Sequence, residues 1–400
     1  MELTDQEKEY IRKNMREDVS KLLLGAKRHP NLNVPFLVDQ ITSRRQIREK
    51  LPSWATNDSL IFPSKIASEQ CSSEQTAAYK QRLVSDGEVL CDLTGGLGVD
   101  SFYFSKKVQK VIYIERFPLY CEAARHNFQL LGADNIQVVH ADSADYIKQI
   151  ETVDVFYLDP ARRGDGNKRV FALSDCEPDL TKWLPLLLLK AKRVIAKISP
   201  MADIKQTINL LPGIQSVHVL SVKNECKELL LVIGHEPVNN LVITCVNYPT
   251  NELLPHMFSF AINDEQTISA IYSSGVKHYL YEPNASIMKA GAFKSISKYY
   301  ALDKVHVSSH LYTSDIFVPN FPGRAFEVED IIPFSNREIK MLAKSVPQAN
   351  ITVRNFPLSA EELHKRCKVK DGGNIYLFAT TLFPNEKVLL RCHKVTNNLI

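Results

Sequence analysis

Four carboxylates in the middle of the chain are spaced so that they can share one ligand. Asp92, Glu115, Asp142 and Asp159 stand at or just past the ends of four short apolar runs, Val89–Leu93, Val111–Glu115, Ile136–His140 and Val153–Leu158. After the first run comes a glycine turn, Thr94-Gly95-Gly96-Leu97-Gly98, and then a helical pattern from Asp100 to Lys107. Glycines in such a turn let the backbone pass close to a ligand and take positive φ without steric cost. In an open parallel sheet, ligands bind beyond the carboxyl ends of the strands. Four acids at four such ends therefore converge on one crevice.

Chemistry assigns the acids different tasks. Glu115 ends the second run and is placed to take both hydroxyls of a ribose. Asp92 and Asp142 would repel phosphates. The set favours a cofactor with a ribose and an adenine, no phosphate, and a positive charge. S-adenosylmethionine meets those terms: Asp92 suits its ammonium and sulfonium, and Asp142 can accept from the adenine amino group. Gly96-x-Gly98-x-x-Ser101 also approaches the fingerprint of NAD-dependent oxidoreductases. That alternative lacks the third glycine and sets Asp92 against the pyrophosphate.

The elements that must position these residues are legible in the hydrophobic pattern. Strands are predicted at the four runs above and at Arg193–Ile198, Ser216–Val222 and Lys227–Ile233. Helices are predicted near Asp100–Lys107, Pro118–Leu131, Ser143–Ile150, Pro178–Ala191 and Ala202–Leu211. Apolar strands alternating with helices imply an α/β, Rossmann-like parallel sheet covered on both faces. Between the last two strands lies only Lys223-Asn224-Glu225-Cys226, which implies an antiparallel hairpin at a sheet edge. Residues 1 to about 85 read as helices, with a capping box at Thr4 and Glu7. A further helix, entered at Ser72-Ser73-Glu74 and running to Val84, sits just before the glycine turn and could line the crevice.

Four segments together resemble the motifs of the class I S-adenosylmethionine-dependent methyltransferases. They are Asp92-Leu93-Thr94-Gly95-Gly96-Leu97-Gly98, Ile112-Tyr113-Ile114-Glu115-Arg116, Ala141-Asp142-Ser143 and Leu158-Asp159-Pro160-Ala161-Arg162. Order and spacing match over residues 75 to 235. The resemblance implies a seven-stranded sheet whose last strand is antiparallel. It also implies cofactor contacts from Asp92, Thr94, Gly95, Gly96, Gly98, Asp100, Glu115, Arg116, Asp142 and Ser143. Thr94 stands where many members have glycine. Asp159, Pro160 and Arg162 are the expected catalytic residues. Amino-group methyltransferases usually read Asp/Asn-Pro-Pro-aromatic here, where the acid orients the target amine and the aromatic stacks on the base. Ala161 and Arg162 depart from that pattern, and some tRNA and rRNA methyltransferases are similar in carrying Asp-Pro-x-Arg. The basic, glycine-hinged stretch Arg162–Arg169 reads as a clamp on a phosphate backbone. Lys197 ends the fifth strand at the same rim, where it faces substrate or merely starts the next helix, and Glu225 in the hairpin is a weaker candidate. Cys176 makes a poor nucleophile candidate.

The rest of the chain narrows the class. Tyr279-Leu280-Tyr281-Glu282-Pro283-Asn284-Ala285, Leu311-Tyr312-Thr313-Ser314-Asp315 and Phe326-Glu327-Val328 resemble bacterial methyltransferases with a ferredoxin-like region and a THUMP-like domain. The expected division is 1–75 helical, 76–235 methyltransferase, 236–325 ferredoxin-like α+β and 326–400 THUMP-like. Between Lys340 and Lys394 ten basic residues face four acidic ones, a net +6 that exceeds the whole chain's +4. Such a concentration suits a module that holds RNA. Tyr299 and Tyr300 read as core residues, with base stacking the second reading. The reading as a whole is a methyltransferase acting on an RNA base, with an RNA-binding protein of vestigial methyltransferase fold as the alternative. Eight scattered cysteines, a charged N-terminus and no long apolar run fit a cytoplasmic protein without membrane contact. No Cys-x-x-Cys pair suggests a metal site. A monomer is expected.

Overall fold

The structure, a computed structural model, describes residues 2–162, 176–250, 252 and 254–395. The chain forms two compact units, Met1–Ser216 with Glu228–Val238, and Val217–Lys227 with Asn239–Ile400. The clamp expected in the stretch after Arg162, at residues 163–169, lies outside the described residues, as does the Arg162 side chain.

The first unit is built on strands β1 (Val89–Asp92), β2 (Lys110–Glu115), β3 (Ile136–His140), β4 (Val153–Leu158) and β5 (Ala191–Ile198). β6 (Ile214–Val222) begins in this unit and ends in the second, and β7 (Glu225–Gly234) returns to the first. Within the unit the hydrogen-bonded order is β3-β2-β1-β4-β5-β7. The first five strands run parallel and β7 runs antiparallel to β5. Central strands bury Leu90, Cys91, Val111, Val155 and Ile195 completely, so their sequences are apolar runs rather than alternations. Helices Val99–Ser105, Pro118–Leu130, Ser143–Gln149 and Leu180–Lys190 follow successive strands of the parallel set.

The N-terminal helices belong to this same unit. Thr4 and Glu7 form the expected capping box at helix Asp5–Asn14. Ile47, Leu51 and Trp54 share a core with Leu97 and Val99 of the glycine turn and its helix. Asn127 of helix Pro118–Leu130 donates from Nδ2 to Ile61 O and accepts from Ile61 N–H, both at 2.8 Å. Paired buried amides of this kind fix the docking of one segment on another, because breaking either bond strands a buried polar group.

In the second unit, Lys223 and Asn224 make the β6–β7 turn with φ of 53° and 60°. Two consecutive positive values mark the tight turn that matches strand twist. The expectation that this hairpin forms the sheet edge needs correction. β8 (Val242–Tyr248) and β9 (His256–Ala261) continue outward from β6. β8 is an apolar run, Val-Ile-Thr-Cys-Val, with all but its first residue buried.

A second sheet in this unit holds β10 (Tyr279–Pro283), β11 (Tyr312–Ser314), β12 (Gly323–Pro333), β13 (Asn350–Arg354), β14 (Ile375–Leu382) and β15 (Glu386–Lys394). Their order is β11-β10-β12-β15-β14-β13, with only the β13–β14 pair parallel. Helices Asn336–Ser345 and Ala360–Cys367 supply Ile339, Leu342 and Leu363 to the core against it. Tyr299 is not a core residue: it is 73% exposed beside Phe258 and Tyr300.

Candidate active site

At the carboxyl ends of β1, β2 and β4 a cavity of about 380 Å³ opens in the first unit. All ten expected cofactor residues line it, from Asp92 through Ser143, together with Asp159. Pro160 is half buried beside them, and the lining passes from Asp159 to Ala161. The backbone of Arg162 pairs with Cys176 in a two-residue ladder.

The glycine turn is shaped from below by two aromatic rings. A Cβ on Gly95 would lie 2.3 Å from the Tyr113 ring, and one on Gly98 would lie 2.6 Å from Phe128. Gly98 also has φ of +83°. Tyr113 Oη donates to Gly96 O at 2.6 Å, so the ring both supports the turn and fixes it. Glu115 ties down the other side, accepting from Gly96 N–H at 3.0 Å and from Phe117 N–H at 2.9 Å. Its carboxylate keeps further lone pairs for a ligand at the rim.

Asp92 forms the floor and is 1% exposed. Ser101 Oγ donates to its Oδ2 at 2.6 Å and Thr94 N–H to its Oδ1 at 3.0 Å. Burial, with Asp100 and Asp159 nearby, outweighs those bonds and pushes its pKa up to about 7. Thr94 has a use that glycine could not supply: its Oγ1 accepts from Asp159 N–H at 2.7 Å and joins the first motif to the fourth. Asp142 caps helix Ser143–Gln149 by accepting from Ala144 N–H at 2.8 Å, and Ser143 Oγ donates to Leu93 O. Arg116 pairs with Glu177 at 3.1 Å and lies over Phe117 at the rim.

Sequence reasoning missed the buried charge beneath the cavity. Lys80 is fully buried, bonded to Ser72 Oγ at 2.7 Å and to Asp100 Oδ1 at 3.0 Å, and paired with Glu228 at 3.1 Å. Tyr157 Oη donates to Asp100 Oδ2 at 2.6 Å. Burial would raise the Asp100 pKa, but Lys80 and Lys197 hold it below the ordinary value. Glu228, burdened mainly by burial, is pushed up. Lys80 lies on a charged, amphipathic helix, and nothing local in its sequence distinguishes it from a solvated lysine. Residues Ile66, Ala67, Gln70, Cys71 and Ser72 line the cavity; the helix expected to do so, Glu74–Lys80 in the structure, supplies none of the lining, which comes from the helix before it, Lys65–Gln70, and the turn between them.

This donor set fits a cationic nucleoside. Among the described residues six acids and one arginine line the cavity, burial pushes the Asp92 pKa up to about 7, and Gly95 and Gly98 leave no room for a side chain. A crystal structure from Porphyromonas gingivalis W83, described provisionally as a methyltransferase, matches with a TM-score of 0.88 at 37% identity, over 99% of this chain and 100% of that one. An otherwise uncharacterized S-adenosylmethionine-dependent methyltransferase of Mycobacterium tuberculosis is 22% identical across 87% of this chain and 93% of its own. The chain belongs to the S-adenosylmethionine-dependent methyltransferases. This methyltransferase is also similar to the ribosomal RNA small subunit methyltransferase J of Acinetobacter baumannii, 39% identical over 18% of this chain and 30% of that enzyme. A ferredoxin-like domain family matches residues 279–322, and a THUMP domain-like family matches residues 323–394. S-adenosylmethionine is its cofactor.

Proposed function

We propose that this methyltransferase modifies a nitrogen of an RNA base, with Asp159 receiving the N–H of the target. The observation that carries the reading is Asp159 itself: a carboxylate at the cavity rim, locked to the cofactor turn through Thr94. When bound, S-adenosylmethionine supplies a methyl group on a sulfonium that one in-line displacement can transfer. Asp92 would face its cationic end, Glu115 the ribose hydroxyls, and Asp142 with Ser143 the adenine edge. Asp159 accepts a hydrogen bond from the nucleophile, turns its lone pair toward the methyl group, and so works by orientation. The proton that the nitrogen gives up passes to water. Pro160 shapes the turn, and the backbone of Arg162 keeps the rim in place.

RNA as the substrate draws support from the THUMP domain-like match at 323–394, from the net +6 between Lys340 and Lys394, and from the RNA-modifying relative. Cys71, Cys91, Cys121, Cys245, Cys367 and Cys392 are free thiols, which agrees with action in the cytoplasm. Among the described residues no helix is long and apolar enough to cross a membrane. Nucleoside mass spectrometry of RNA from wild-type and gene-deletion cells tests the proposal. One methylated nucleoside should vanish on deletion and return with the wild-type gene but not with Asp159→Ala. An unchanged nucleoside profile, with RNA binding retained, would favour the vestigial RNA-binding reading.

A further inference from the structure

Lys197 and Asp159 stand side by side at the carboxyl ends of adjacent parallel strands. Leu158 is opposite Ala196 in the β4–β5 register, so the next residues along each strand are lateral neighbours. Lys197 Nζ lies 2.5 Å from Asp159 Oδ2. The lysine side chain is 15% exposed and the aspartate side chain 36%, so the cation lies deeper and the carboxylate faces the cavity. We propose that Lys197 is a positioning residue for methyl transfer, occupying Oδ2 of Asp159 so that Oδ1 is the oxygen presented to the target N–H. This rests on the reading that Asp159 receives the substrate.

A lone carboxylate offers two equivalent oxygens and rotates between them. Here Thr94 holds the Asp159 backbone and Lys197 holds one oxygen, so the remaining acceptor points one way. Misplacement of a reacting group by about 1 Å can cost on the order of 100-fold in rate.

The surrounding charges keep Lys197 in this task. Burial would lower its pKa, yet Asp159 of β4, Glu228 of β7 and Asp100 of helix Val99–Ser105 together raise it. It stays a cation and does not serve as a base. Lys80 is already engaged with Asp100 and Glu228, which leaves Lys197 to Asp159. Asp92 and Tyr157 also lie within electrostatic reach of Asp159. Without Lys197, Asp159 would face Asp92 with no cation of its own, and a neighbouring like charge disfavours an ionised carboxylate. A protonated carboxyl donates where an acceptor is needed.

The test uses the full chain as wild type, Lys197→Met and Lys197→Arg. Calorimetric affinity for S-adenosylhomocysteine should agree within about 3-fold across the three, since Lys197 does not line the cofactor cavity. Initial rates are read with labelled S-adenosylmethionine and total RNA from deletion cells. Lys197→Met should lower kcat about 100-fold with little change in KM. The acidic limb of its pH profile should move up, and Lys197→Arg should restore most of both. Carboxyl-13C aspartate NMR, with the Asp159 signal assigned by its loss in Asp159→Asn, follows the same pairing without RNA. The Asp159 carboxyl signal should move in Lys197→Met and return toward its wild-type position in Lys197→Arg. A wild-type rate and profile in Lys197→Met, or an unmoved Asp159 signal, overturns the inference. A moved signal in a protein that labels no RNA upholds the pair and overturns only the RNA reading.

Discussion

Lys80 Nζ, from the helix that precedes the sheet, lies 3.0 Å from Asp100 Oδ1 at the start of the helix that follows the glycine turn. Glu228 of β7 meets the same ammonium at 3.1 Å. One buried cation thus joins the helical segment, the cofactor turn and the reversed strand. Removing one partner from such a group leaves uncompensated buried charge, at a cost of about 3–5 kcal/mol. Lys80→Met should therefore lower unfolding free energy by that order in urea titrations. A loss below about 1 kcal/mol would mean that the cluster is dispensable.

Asp92 makes the protein pH-sensitive in a defined direction. Its carboxyl holds a proton up to about pH 7 in the fold, against 3.8 as the ordinary value. Between those limits the folded state binds more protons than the unfolded state, so stability falls as pH rises and levels off above about 7. Three pH units correspond to about 4 kcal/mol. Comparing wild type with Asp92→Asn by denaturant unfolding from pH 4 to 8 isolates this contribution, and the slope should shrink in the variant. Affinity for S-adenosylmethionine should rise through pH 7 as Asp92 ionises, while that for the uncharged-sulfur product S-adenosylhomocysteine should change less.

Glycines of the turn differ in what they tolerate. Gly98→Ala meets both a positive φ and the Phe128 ring, whereas a Cβ on Gly96 meets nothing closer than 3.7 Å. Gly98→Ala should cost about 2–4 kcal/mol, the sum of overpacking and left-handed strain. Gly96→Ala should cost about 1–2 kcal/mol from φ alone. Thermal unfolding of the two variants orders them, and equal losses would refute the packing argument.

Glu115 accepts from two backbone N–H groups and faces the cavity. Loss of charge-assisted bonds to a ribose, at about 1.5–3 kcal/mol each, predicts that Glu115→Ala weakens S-adenosylhomocysteine binding at least 30-fold. Calorimetry checks it, and unchanged affinity would remove Glu115 from the cofactor site.

The sheet and its acidic rim were legible because their signals are local. Val89–Asp92, Lys110–Glu115 and Val153–Leu158 are apolar runs that end in or just before acids, and Gly95 to Gly98 announce a turn. Long-range contacts were not legible. Lys80 finds Asp100 across 20 residues and Glu228 across the whole sheet, so its burial depends on the finished fold. Lys197 was legible as a rim candidate, but its pairing with Asp159 follows only from the β4–β5 register. Strand β8 is an apolar run, but it lies beyond the motif-bearing region, and its pairing with β6 follows only from the finished fold.

The central claim is that a methyl group moves from S-adenosylmethionine to RNA at Asp159. Its most direct measurement incubates the full chain with methyl-labelled S-adenosylmethionine and total RNA from deletion cells, then counts label in purified RNA. Wild type should label RNA, and Asp159→Ala should do so at least 100-fold more slowly while still binding S-adenosylhomocysteine. RNA left unlabelled by a wild-type protein that binds S-adenosylhomocysteine, or labelled equally by Asp159→Ala, would contradict it.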